Sequence, residues 1–155
     1  MSPLPSLLVL LPVLALQSQR LTATELSLGA AASMARETFI GGELGVARRT
    51  SNDSRVALAL AGGSAAGAAA ARTQLTLQLL VNSAARAGVG LYGGLGAAFS
   101  VRRGAAGQGF VAVVLGLEGA PGRVQNWYAE LGLAGGFRAA AGWRVRWFPD
   151  WWKGR

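Results

Sequence analysis

The sequence predicts an all-β chain, an eight-stranded antiparallel up-and-down transmembrane β-barrel preceded by a signal peptide. Three observations carry that expectation. From Thr24 to Phe148 apolar and polar residues alternate with period two, and turn-forming clusters interrupt the alternation at fairly even spacing. Most segments hold about 9–12 residues, near the roughly 9–11 that a tilted strand needs to cross a bilayer. The two faces also differ as a membrane strand requires, with one side greasy and the other carrying Arg, Glu, Gln and Gly, the pattern of lipid outside and charges inside.

Residues 1–18 read as the export signal. Leu7 to Leu16 is an apolar core too short to span a bilayer as a helix, and Val13 and Ala15 form a small-residue cleavage site, with Ser18 as an alternative. The segment before it has no Lys or Arg, and a buried hydrophobic helix is the competing reading.

Eight segments follow. The first, Thr24 to Ala32, sets Leu26, Leu28 and Ala30 against Ser27, Gly29 and Ala31. The second, Thr38 to Arg48, sets Ile40, Leu44 and Val46 against Phe39, Glu43 and Gly45; the third, Arg55 to Gly63, sets Val56, Leu58 and Leu60 against Arg55, Ala57 and Ala59. The fourth is the cleanest: Thr73, Leu75, Leu77, Leu79 and Val81 alternate with Arg72, Gln74, Thr76, Gln78, Leu80 and Asn82. The fifth, Gly88 to Val101, turns Leu91, Leu95 and Phe99 one way and Gly90, Tyr92 and Gly94 the other, and the sixth opposes Val111, Val113, Leu115 and Leu117 to Phe110, Val114, Gly116 and Glu118. The seventh, Val124 to Ala134, sets Trp127, Leu131 and Leu133 against Asn126, Tyr128 and Glu130. The eighth, Phe137 to Trp147, places Trp143, Val145 and Trp147 opposite Arg138, Arg144 and Arg146.

Between them lie clusters of Gly, Ala, Ser, Asn, Asp and Pro suited to turns. Gly63 to Ala71 is assigned as one connection, with Ala65 to Ala71 compatible with a helical turn. Eight strands can close a sheet and remove its edges. Inward placement of both Glu130 and Arg144 requires an odd last hairpin loop; with Gly135-Gly136-Phe137 as that loop, Ala134 faces Arg138, Tyr128 faces Arg144, and Glu130 faces Gly142, diagonal to Arg144.

Composition narrows the function. The chain has 155 residues, 52% of them hydrophobic and 14% charged, too apolar for a disordered chain. Its 23 Gly are about twice the usual share of roughly 7%, as a narrow barrel interior would demand. The net charge is +8, but no basic run exceeds two residues and no aromatic-basic platform is present, so no nucleic-acid partner is expected. Lacking Cys and His, the chain cannot form disulfides, Cys/His zinc sites or a His-based acid-base pair. No metal, no cofactor and no catalytic residue are expected.

On these residues the chain resembles the small eight-stranded outer-membrane β-barrel proteins of double-membraned bacteria, over Thr24 to Phe148. The resemblance implies a filled barrel located in the outer membrane, contact with membrane lipid, a monomeric state, and delivery by the outer-membrane assembly machinery. In that family an aromatic residue ends the last strand; Trp147 or Phe148 matches that position, preceded at alternate positions by Trp143 and Val145. The family's strand usually closes the chain, whereas here a tail, residues 149–155, follows it.

Two motifs are accidents of a Gly-rich composition. Gly88 to Gly93 fits the dinucleotide spacing G-x-G-x-x-G, but no good helix follows and no acid lies about 20 residues onward. Small-residue spacings such as Gly41 to Gly45 lie in no apolar run long enough for a membrane helix. The candidate site is the inward set Glu43, Glu118 and Glu130 with Arg55, Arg72, Arg138, Arg144 and Arg146, read as paired charges that fill the lumen, with Glu130 and Arg144 as the leading pair. Catalysis or ion selection is the sharper alternative. Trp127, Trp143 and Trp147 are placed at one membrane interface as a partial aromatic girdle; Trp151 and Trp152 rest on headgroups or belong to a disordered tail.

The expected function is a structural or narrow passive-channel role in the outer membrane, without enzymatic activity. The alternative is a secreted soluble β-barrel or sandwich that carries an apolar ligand. The two predict opposite burial for Leu75, Leu77 and Leu79 on one side and Gln74, Thr76 and Gln78 on the other.

Overall fold

The computed structural model describes residues 20–153; the expected signal peptide lies outside the described residues. Eight strands follow one another: β1 Ala23–Met34, β2 Phe39–Arg49, β3 Ser54–Ala65, β4 Ala68–Val81, β5 Val89–Arg102, β6 Gln108–Gly119, β7 Gln125–Leu133 and β8 Phe137–Trp147. Each pairs antiparallel with its sequence neighbour, and β1 pairs with β8, so the sheet closes. Closure satisfies every strand's ladder without an exposed edge, the condition for strands to cross lipid. Among the described residues no helix is long and apolar enough to cross a membrane.

The alternation read from the sequence sets the two faces. Leu75, Leu77 and Leu79 are 52%, 59% and 66% exposed, while Gln74, Thr76 and Gln78 are 8%, 3% and 2% exposed. The outer wall carries similar Leu, Val, Ile and Phe side chains on every strand, far more contiguous apolar surface than a soluble monomer tolerates. A soluble barrel around an apolar ligand would show the reverse. The buried interior instead carries Arg, Glu, Gln and Tyr, packed among small Ala side chains and a few apolar residues such as Phe39, Leu80 and Val114.

The β3–β4 connection differs from its expectation. No helical turn forms over Ala65 to Ala71; Ala65 pairs with Ala68, and the loop is Ala66-Gly67 alone. Their φ values, 48° and 77°, are those of a type I′ turn, whose twist matches the strands it joins. Gly67 takes its left-handed conformation at no steric expense, so the strands run on through the Ala-rich stretch.

The last hairpin also shifts. Leu133 faces Phe137, Tyr128 faces Gly142 and Glu130 faces Ala140, two residues from the expected register but with the same residues inward. The loop is odd, as required, but consists of Ala134-Gly135-Gly136: the positive φ of 72° at Gly135 places the bend one residue earlier and frees Phe137 to pair.

The chain ends define the barrel's two mouths. The start of β1, the end of β8 and the β2–β3, β4–β5 and β6–β7 connections lie at one, the terminal end; the other four connections form the loop end. After β8 the chain closes over the terminal end. Phe148 turns inward onto Leu21 and Ala23, so Trp147, not Phe148, continues the outward row of Trp143 and Val145. A single helical turn, α1 Asp150–Lys153, packs Trp151 and Trp152 against that cluster. The Trp152 indole donates to Gly122 O at 2.9 Å, and Arg86 lies 4.6 Å from its ring, so this part of the tail is packed on the barrel.

The lumen charge network as candidate functional site

Strand parity brings the inward charges together from strands far apart in sequence. Two tiers result. Nearest the terminal end, Glu118 of β6 meets four guanidinium groups: Arg49 at 3.4 Å, Arg55 and Arg146 at 3.0 Å each, and Arg144. Glu25 of β1 meets the same four, with Arg49 at 2.5 Å and Arg55 at 2.8 Å, and Arg144 and Arg146 at 3.6 and 3.7 Å. Both carboxylates and all four arginines are buried. Burial of an unpaired charge is costly, and here each ion is surrounded by opposite partners.

Arg49 also fastens the terminal end. Its Nη1 donates to Ser83 O at 2.8 Å and its Nη2 to Pro121 O at 3.0 Å, which ties the end of β2 to the β4–β5 and β6–β7 connections.

The second tier lies toward the loop end. Arg138 donates to Glu130 at 2.9 Å and to Glu43 at 2.5 Å, and the Tyr92 hydroxyl donates to the other Glu130 oxygen at 2.7 Å. Arg144 joins the tiers. Its guanidinium lies 4.6 Å from the Tyr128 ring and 5.4 Å from the Tyr92 ring, within cation–π range, and Arg55 lies 4.4 Å from the same Tyr92 ring.

Small residues make room for this filling. Gly116 faces Tyr92 across β5 and β6, and a Cβ at Gly116 would run into the Tyr92 ring. Replacing Gly116 by Ala is expected to displace Tyr92 from Glu130 and lower stability by about 1–3 kcal/mol, an overpacking effect. Equilibrium unfolding in detergent, followed by β-sheet circular dichroism, checks it.

Of the residues singled out in the sequence, Glu43, Glu118, Glu130, Arg55, Arg138, Arg144 and Arg146 all sit in these tiers. The pairing differs from the expectation. Glu130 and Arg144 are 3.7 Å apart, but Glu130 is held more closely by Arg138 and Tyr92, and Arg144 by Glu118. The two-residue register shift removes the diagonal that favoured the first pair. Arg72 makes no ion pair among the described residues; it donates to Ala134 O at 2.6 Å and lies 5.9 Å from the Phe39 ring.

Glu25 and Arg49 are the members that sequence reasoning missed. Glu25 has the parity of Ser27 and Gly29, and Arg49 that of Glu43 and Gly45, so the signal was present at the start of the first segment and one residue past the end assigned to the second. Trp127, Trp143 and Trp147 face outward near the terminal end, with Trp127 directly opposite Trp143.

The filled lumen leaves little space. Two voids among these side chains, lined by Glu43, Gln74 and their neighbours, measure about 10 and 20 Å3, room for about one water molecule each. No group of His, Cys, Asp or Glu suited to hold a metal occurs among the described residues.

A closed antiparallel sheet of eight strands, apolar outside and charged within, is the architecture of the small outer-membrane β-barrels. No protein-family profile and no curated protein matches the chain. Solved structures do. The N-terminal β-barrel domain of Pseudomonas aeruginosa OprF aligns with a TM-score of 0.64 at 16% identity, over 83% of this chain and 100% of that domain. Ail, the attachment invasion locus protein of Yersinia pestis, aligns with a TM-score of 0.53 at 15% identity, over 83% and 99% of the two chains. Neisserial surface protein A aligns with a TM-score of 0.51 at 14% identity, over 81% and 97%. At such identities the fold is what is shared.

Proposed function

We propose that the protein is a structural β-barrel of the bacterial outer membrane, embedded in lipid as a monomer and closed to solute flow. Its outer wall supplies the lipid-facing surface, and Trp127, Trp143 and Trp147 supply aromatic anchors at the interface beside the terminal end. Trp147, the last outward aromatic of β8, is the residue offered to the assembly machinery. The observation that carries the closed state is the lumen, whose two voids of about 10 and 20 Å3 lie among buried ion pairs. Such a lumen gives a hydrated ion no continuous path, and its charges are bound to one another rather than displayed as a selectivity ring.

The test has two parts. The chain from Gln19 onward, folded in detergent, is expected to migrate differently on a gel before and after boiling, and to need detergent for solubility. Reconstituted in planar bilayers, it is expected to give no stepwise conductance. Regular conductance steps would replace the closed barrel by a narrow passive channel; solubility without detergent would defeat the membrane reading itself.

A further inference from the structure

The loop end holds a vestibule of about 530 Å3, a volume typical of small-molecule sites, above the filled part of the lumen. Its wall includes an inward polar row on three adjacent strands: Arg72 of β4 faces Ser100 of β5, and Ser100 faces Gln108 of β6. Arg102 and Arg36 add two more guanidinium groups at the rim, and Phe110 adds an aromatic ring. The sole carboxylate on this wall, Glu37, is held by Arg102 at 3.1 Å.

Charge is therefore unbalanced here, in contrast to the tiers below. Arg49, Arg55, Arg138, Arg144 and Arg146 each contact at least one carboxylate within 4 Å. Arg72 is half-buried, yet among the described residues its polar partner is one backbone carbonyl. A guanidinium partly withdrawn from water, with no carboxylate within 4 Å among the described residues, favours an anion that brings its own oxygens, and its planar fork matches phosphate and carboxylate geometry. The volume exceeds that of a bare oxyanion. Ser100 and Gln108 offer hydrogen bonds to hydroxyl groups, and the Phe110 ring offers an apolar face.

We propose that this vestibule is a binding site for a sugar phosphate, with the phosphate on Arg72 and Arg36 and the sugar against Ser100, Gln108 and Phe110. The same chemistry is presented by a soluble sugar phosphate and by the headgroup of a phosphorylated glycolipid. The site needs the barrel fold but not a closed lumen, so its failure and that of the proposed function are distinct results.

The probe is glucose 1-phosphate, titrated calorimetrically into the folded chain in a neutral detergent, with glucose and inorganic phosphate alongside. Saturable binding of glucose 1-phosphate, tighter than inorganic phosphate and with none for glucose, is expected. Arg72→Gln is expected to weaken it by about tenfold or more, the effect of one charge-assisted bond. Arg36→Gln, at an exposed loop position where folding is not at stake, is expected to weaken it as well. If glucose 1-phosphate gives no saturable heat, or if both variants bind as the parent does, the proposal is overturned. Displacement of the probe by micellar lipid A would assign the site to a membrane headgroup, and retention of the probe would assign it to a soluble ligand; either supports the site.

Discussion

Replacing Glu118 by Gln is expected to lower the stability of the folded barrel by about 3–5 kcal/mol, the effect of breaking a buried ion pair from one side. The side chain keeps its size, so the loss is electrostatic. Arg49, Arg55, Arg144 and Arg146 all contact Glu118, and after substitution Glu25 alone remains against Arg49, Arg55 and Arg146, with Glu130 adding a longer contact to Arg144. Like charges packed without water between them repel strongly. Glu37→Gln is the control: its pair with Arg102 is partly exposed, with side chains 44% and 31% accessible, and its loss is expected to stay within about 1 kcal/mol. Urea titration of the detergent-folded proteins, with the slopes compared to confirm one unfolding process, reads both values. A loss below about 1 kcal/mol for Glu118→Gln would show that the tier is solvated. Adding Arg146→Met to that variant should recover part of the loss, because it removes one of the uncompensated charges; a double-mutant cycle isolates the coupling.

Glu118 marks the boundary of what the sequence makes legible. Period two assigns each residue a face, and one face is enough to put Glu118, Arg55 and Arg144 in the lumen. It does not say which of them meet. Glu118 lies 69 residues from Arg49 and 63 from Arg55, and their contact depends on how the closed sheet brings β2, β3 and β6 around one narrow interior. Local pattern carries no information on that. The last hairpin shows the same boundary on a smaller scale: parity required an odd loop, but three-residue loops starting at Ala134 or at Gly135 both satisfy it, and only the backbone of Gly135 and Gly136 chooses between them. Glu25 and Arg49 were legible and were missed at strand ends, where a charged residue looks like the start of a turn. In a filled barrel the inward row continues to the mouth, and Arg49 shows why: at that position it also binds the turns.

The medium on the outside of the barrel is open to an equally direct test. Leu77 points outward on β4 between Val56 and Leu95, which are 41% and 65% exposed, and is itself 59% exposed. If water covered this wall, Leu77→Arg would change stability by no more than about 0.5 kcal/mol, as surface substitutions do. In a bilayer the same change is expected to cost about 2–4 kcal/mol near the midplane. The cost should also depend on depth. Along β4 the outward row runs Leu75, Leu77, Leu79, Val81 toward the terminal end, and the penalty for Arg should fall to about 0–1 kcal/mol where the side chain reaches the interface. Refolding each variant into lipid vesicles and measuring reversible unfolding gives the series. A penalty that rises and falls along the row would locate the hydrocarbon layer on the barrel and test whether Trp127, Trp143 and Trp147 stand at its edge. A flat series near zero would mean that the outward leucines do not face lipid, and the lumen charges would then be the interior of a protein that lives elsewhere.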